Sequence, residues 1–294
     1  MKVKVWGARG SIPVPGPETA RYGGNTSCLG VTLSDGTHLV LDAGTGIRSL
    51  GNVISPEAVH VEILLTHLHL DHIQGLMFFA PCFRAETELV IWGPSAPGAS
   101  LEDRIARYIS APLSPVEVRE LPCGVSFRDC PTTEWQIGPA RVQAASVTHR
   151  GPTLGYRITD GEDSLCYIPD HEPGLSPGLA DLEPDWISGF ELAKDASLLV
   201  HDCQYADAEY PEHVGWGHSA ISDTLTFARR TNAARVLLFH HDPLHTDAQL
   251  DTLQLQARER WAELGGSAGC LEMAVEQAEL TVGSGAAGAV PLAS

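Results

Sequence analysis

Apolar positions along this chain follow two periods, and their order predicts the architecture. "KVKVW" alternates like a strand at the N-terminus. "SCLGVTLSD" and "THLVLDAG" read as two more strands, separated by the turn "SDGT". "VHVEILLTH" is almost continuously apolar, as in a strand buried on both faces. "ARVQAASVTH", "LGYRIT" and "DSLCYIP" are short strands, and "SLLVHDC" and "ARVLLFH" are buried ones. Helical spacing appears in "SLEDRIARYIS", where Ser100 and Asp103 occupy capping-box positions. "WISGFELAKDA" and "HSAISDTLTFARRT" also read as helices, and a long one is expected to start at Thr246. Strands come first in runs and then alternate with helices. This α+β pattern predicts two facing sheets with helices outside. No linker interrupts it, so one domain over 1–281 is expected, followed by a flexible tail at 282–294. Residues 81–135 look least regular and read as an insertion over an active site.

Composition narrows the function classes. Hydrophobic residues make up 43% of the 294, enough for a sizeable core. With 37 acids against 19 Lys and Arg, the net charge is −18. Such a balance argues against a surface built to grip nucleic acid or anionic lipid, although bound cations would still attract a small anion. No apolar run reaches the length of a signal peptide or a membrane span, which predicts a cytoplasmic protein. The seven cysteines are scattered without a CxxC pair and read as reduced, buried thiols.

The chemistry concentrates in "LLTHLHLDHIQG". His67 and His69 stand two apart at the end of a strand, so both imidazoles point the same way toward one cation. Asp71 and His72 follow where the chain turns into a helix and face a second cation. His149, Asp170 and His240 each end an apolar strand, and each offers a ligand of the kind borderline Zn²⁺ accepts, with Mn²⁺ or Fe as alternatives. Asp42 ends another strand in "LDAGTG". No GxGxxG or P-loop is present, so a nucleotide cofactor has no support.

"THLHLDH" matches the HxHxDH signature of the metallo-β-lactamase superfamily. "THRGPTLGYR", "YIPDHE" and "LLFHHDP" resemble its later metal motifs, in the same order. The resemblance covers about residues 1–280. It implies a four-layer αβ/βα sandwich with two divalent ions, held by His67, His69 and His149 on one side and by Asp71, His72 and His240 on the other, with Asp170 bridging. His240 and His241 point to opposite sides in extended chain, and the resemblance implies that the ligand is His240. Asp42 is expected to orient the metal loop by hydrogen bonding. Asp202 in "LLVHDCQY" and His218 in "GWGHSA" resemble the carboxylate and histidine that protonate the leaving group in the phosphodiesterase and tRNA 3′-processing branch. Here Asp replaces Glu, and Ala220 replaces Thr or Ser.

The implied activity is hydrolysis of a small phosphodiester or cyclic nucleotide by a water activated between the ions, with Asp71, His218 and Asp202 as the catalytic groups. Arg21, Asn25 and Ser27 are candidates for holding a phosphate oxygen, with Arg9 and Arg150 as weaker ones. Phe78 and Phe79 are candidate pocket walls. The run from Arg150 to Pro169 leaves no room for the basic arm of tRNA-processing enzymes, which with the net charge argues against tRNA. The expected partner is a small anionic ester, with no membrane; a homodimer is left open. Two readings compete with the phosphodiesterase: a thioester or lactone hydrolase of the same fold, and a non-catalytic metal-binding regulatory module.

Overall fold

The computed structural model describes residues 1–57, 59–175 and 178–283. In chain order its strands are β1 (Lys2–Gly7), β2 (Cys28–Thr32), β3 (His38–Leu41), β4 (His60–Leu64), β5 (Glu88–Gly93), β6 (Gly124–Asp129) and β7 (Trp135–Ile137). They continue with β8 (Ala140–Ser146), β9 (Leu154–Asp160), β10 (Asp163–Ile168), β11 (Leu198–Asp202), β12 (Val236–Phe239), β13 (Leu271–Met273) and β14 (Glu279–Thr281). One sheet has the order β14-β1-β2-β3-β4-β5-β6 and the other β13-β12-β11-β10-β9-β8-β7. Within each sheet an antiparallel half passes into a parallel half: β3 to β6 in the first, β10 to β13 in the second.

Alternation along the strands assigns the layers. Leu39 and Leu41, with Leu165, Tyr167, Val200, Leu237 and Phe239, fill the space between the sheets. Their sequence neighbours point outward. Val40 joins a cluster under helices α1 (Ile47–Val53), α2 (Leu70–Ile73) and α3 (Leu101–Ala106). Cys166, Leu199 and Leu238 join one under α4 (Phe190–Ala193), α5 (Ile221–Arg230) and α6 (Asp247–Glu263). A strand covered on both faces must be apolar on both, hence the continuous runs in the sequence. The result is the expected four-layer α+β sandwich.

Local signals hold at several helix starts. Ser100 Oγ accepts from Asp103 N at 3.0 Å. Thr246 and Gln249 form a reciprocal capping box at the start of α6. Elsewhere the structure corrects the expectation. Residues 81–135 are not simply an irregular insertion: they contribute β5 and β6 to the first sheet, with Val90 and Trp92 packed between the sheets. After the exposed Glu88, "LVIWG" is itself a short buried run, followed by the Pro- and Gly-rich "PSAPGAS". The tail does not begin at 282, because Val282 is buried and donates its N–H to Met1 O; from 284 onward it lies outside the described residues. All seven cysteines are free thiols. No helix among the described residues is long and apolar enough to cross a membrane.

Candidate metal centre

Six chain segments deliver polar groups to one edge of the sandwich, each from the carboxyl end of a strand. β3 leads to Asp42, β4 to His67 through His72, β8 to His149, β10 to Asp170, β11 to Asp202 and β12 to His240. Because β8 and β10 both run antiparallel to β9, these ends share one rim.

The convergence is tight. Donor atoms of His67, His69, His149 and Asp170 lie within 4.8 Å of one another, and so do those of Asp71, His72, Asp170 and His240. Asp170 belongs to both groups. Its Oδ2 is 3.7 Å from the Nε2 atoms of both His67 and His149, and its Oδ1 is 3.0 Å from His72 Nε2 and 3.4 Å from His240 Nε2. His67 Nε2 and His69 Nδ1 are 2.8 Å apart. Every ring here is buried except that of His69, which stands exposed at the mouth.

Neighbouring acceptors fix which nitrogen faces inward. His72 Nδ1 donates to Asp42 Oδ2 at 2.8 Å, His149 Nδ1 to Gly217 O at 2.7 Å, and His240 Nδ1 to Gln204 Oε1 at 3.0 Å. Each Nε2 therefore turns a lone pair to the cluster. Asp42 is fully buried and also accepts from Thr66 N, Thr66 Oγ1 and Tyr167 OH. Asp71 Oδ2 accepts from Ser11 N at 2.8 Å. Two glycines make room for the rings. A Cβ on Gly217 would lie 2.4 Å from His149 Nδ1, and one on Gly10 2.5 Å from His240 Nδ1. Ser11, Asp42 and His240 all adopt positive φ, a strain that clusters at functional sites.

These residues fit a pair of divalent cations. His72 Nε2 and Asp170 Oδ1 are buried and make no hydrogen bond, although they approach to 3.0 Å. A lone pair facing a carboxylate oxygen without hydrogen-bond geometry calls for positive charge between or beside them. Electrostatics agrees. Burial pushes the pKa of His67, His69 and His149 down, which keeps them in the neutral, ligating form. Burial opposes charge on His72 too, but Asp170, Asp71 and Asp42 together raise it well above the ordinary range. Burial likewise works against ionised Asp71 and Asp170, yet the surrounding imidazoles hold both well below the usual carboxylate range. The site thus draws positive charge onto itself.

Beside the cluster, His218 Nδ1 is 2.7 Å from Asp202 Oδ2, and its ring stacks on His240 at 4.9 Å. Burial lowers its pKa, but Asp202, followed by Asp170 and Asp71, brings it to about 9. Asp202 is pinned by N–H groups of His171, Gln204 and Ser219.

A family model, the beta-lactamase superfamily domain, matches residues 37–241. The chain belongs to the metallo-β-lactamase superfamily. It is a metal-dependent hydrolase of that fold. It is similar to Ribonuclease Z of Haloarcula marismortui, 23% identical over 301 residues, covering 88% of this chain and 91% of that one. Among solved structures it resembles human tRNase Z, short form, at 20% identity and TM-score 0.66, over 96% of this chain and 100% of the other. A diphosphatase from the PhnP family superposes with TM-score 0.67 at 15% identity, over 95% and 96% of the two chains. The likeness to curated relatives named Ribonuclease Z overturns the expectation against tRNA. Net charge is a property of the whole surface, whereas recognition is local, so −18 does not exclude an RNA substrate.

Most of the weaker sequence candidates are engaged away from the cluster. Arg21 pairs with Asp251 at 2.6 Å, Asn25 Nδ2 donates to Glu276 Oε2, and Ser27 Oγ is buried without a hydrogen bond. No described contact joins these three to the cluster. Arg9, a proposed anion holder, is fully buried and donates to the carbonyls of Gly23, Asp242 and His245, which ties loops together. Arg150 donates to Gly215 O. Phe79 is core, packed beneath α1, while Phe78 is exposed. His241 turns away from the cluster and meets Ala274 O. Gln204, Tyr167, Ser11, Glu172, Gly10 and Gly217 were not singled out by sequence. Their partners lie far along the chain, so only the "DCQ", "DHE" and "GWGHS" contexts could have flagged some of them.

Proposed function

We propose that this protein is a dinuclear metal-dependent phosphodiesterase. His67, His69 and His149 would hold one cation and Asp71, His72 and His240 the other, with Asp170 in reach of both groups. When bound, the cations acidify a water and neutralise charge on the non-bridging phosphate oxygens. Zn²⁺ suits the imidazole-rich set best, with Mn²⁺ or Fe accommodated by the same donors.

The observation that carries the phosphodiester reading is the Asp202–His218 pair at 2.7 Å, stacked against the ligand His240. A phosphodiester departs as an alkoxide, a poor leaving group that needs a proton. His218, kept protonated and oriented by Asp202, delivers that proton from its other nitrogen, Nε2. Its stacking against His240 supports this role, because it keeps the ring beside the candidate ligands. A thioester hydrolase has less use for such a donor, since a thiolate departs without one; a lactone departs as an alkoxide and is told apart by turnover alone. The substrate class is a phosphodiester; likeness to proteins named Ribonuclease Z supports testing tRNA beside cyclic nucleotides and small diesters.

The test begins with metal analysis of purified protein. Turnover of cyclic nucleotides, alkyl and aryl phosphodiesters, precursor tRNA and a thioester is then measured with Zn²⁺ or Mn²⁺. His218→Ala is expected to lower kcat about 10²- to 10⁴-fold on alkoxide leaving groups and much less on activated aryl ones. Equal losses on both, or preferential turnover of the thioester, would overturn the assignment.

A further inference from the structure

The carboxylate of Glu172 lies in none of the metal groups, yet it is 2% exposed and carries three hydrogen bonds. Its Oε1 accepts from Tyr210 OH at 2.7 Å and from Gly215 N at 2.8 Å, and its Oε2 accepts from Gly217 N at 2.8 Å. Both glycines have positive φ, so this turn takes a shape that side-chain-bearing residues resist. On its far side the turn offers Gly217 O to His149 Nδ1, and the next residue is His218. Glu172 itself is tied to the floor of the site, because its N–H donates to Thr148 O beside His149. Two residues earlier in the same segment stands Asp170. The adjacent His171 N–H donates to Asp202 Oδ2, and His171 O accepts from Ser219 Oγ.

We propose that Glu172 is a positioning residue for proton transfer: its carboxylate clamps the 215–217 turn and so seats His218 against Asp202. This inference rests on the reading of His218 as the acid. Accepting from two N–H groups and the phenol at once takes two acceptor oxygens with no donor between them, which a carboxylate supplies. A glutamine in its place turns an amide N–H₂ toward a donor on one side, so one strap of the clamp opens. The same turn also holds Gly217 O against His149 Nδ1, so metal content is measured in the variant, and the loss that remains at equal metal content is the pull on His218.

The experiment compares Glu172→Gln with His218→Ala in the metal-loaded full chain. Glu172→Gln is expected to lower kcat about 10- to 100-fold on diesters with alkoxide leaving groups, with KM little changed. Activated aryl diesters should be nearly unaffected. Added to His218→Ala, it should cost little more, because the group it positions is already gone. As a readout apart from turnover, amide hydrogen exchange at Gly215 and Gly217 in metal-free protein should accelerate. Equal losses on both substrate types, a full additional loss in the His218→Ala background, or unchanged exchange at both glycines would overturn the inference. If His218→Ala shows no leaving-group dependence, the acid assignment falls; if it does and Glu172→Gln does not, only the clamp falls. Should Glu172→Gln not fold, Glu172→Asp, one methylene short, is read by the same criteria.

Discussion

A single carboxylate, Asp170, joins candidate ligands that different sheets supply. It contacts His67 and His72 from the loop after β4 and His149 and His240 from the second sheet. Asp170→Ala is therefore expected to lower metal content as well as turnover, read by elemental analysis; full occupancy in that variant would contradict a shared position. Gly217 offers a subtler test. An added Cβ would press on His149 Nδ1 and would also strain a backbone at φ +92°. Gly217→Ala should weaken metal binding about 10- to 100-fold while far-UV circular dichroism stays unchanged. The imidazoles and carboxylates of this site were legible as residue types, because His, Asp and His at strand ends have few other uses in such density. Their acceptors were not: Gln204 is 36 positions from His240, and Tyr167 is 125 from Asp42.

Among the elements, those with strong local codes were readable. The reciprocal cap at Thr246 starts α6 as the sequence implies. Thr246→Ala should cost about 1 kcal/mol of stability, seen as a lower urea midpoint with unchanged kcat, since the cap is exposed and serves only the helix start. Elements whose formation depends on neighbours were harder. β13 and β14 are three residues each, and such short segments exist as strands because β12 and β1 offer them an edge. "WISGFELAKDA" reads as a helix, but only Phe190–Ala193 is α-helical, because Gly189 enters in a left-handed conformation. "HSAISDTLTFARRT" becomes helical only from Ile221. His218 and Ser219 are drawn back instead to Asp202.

At the scale of the whole molecule, the centre is a seam. The segment His67–His72 follows a strand of one sheet, and His149, Asp170 and His240 follow strands of the other. A cation held across that seam would tie the two sheets together and would favour the folded chain, which alone gathers these groups. Its removal should therefore destabilise the protein, by about 2.7 kcal/mol for a cation present at a hundred times its Kd. Thermal melts with a chelator and then with Zn²⁺ restored would show a lowered and recovered Tm, and an unchanged Tm would speak against a cross-sheet ion. Acidity also acts at this scale. The net charge of −18 raises the cost of bringing a polyanion close, so precursor tRNA turnover should depend more on ionic strength than turnover of a small diester. Parallel salt titrations of the two activities would check this.

The sequence alone determined the ligand types, the strand ends that carry them and the alternation that sorts side chains into layers. Each of these follows from covalent spacing and a repeat of two or 3.6 residues. Only the tertiary structure decided which imidazole nitrogen faces inward, that Arg9 is a buried tie, and that Glu172 grips the turn before His218. Those outcomes depend on hydrogen bonds between segments that meet only when the two sheets stack.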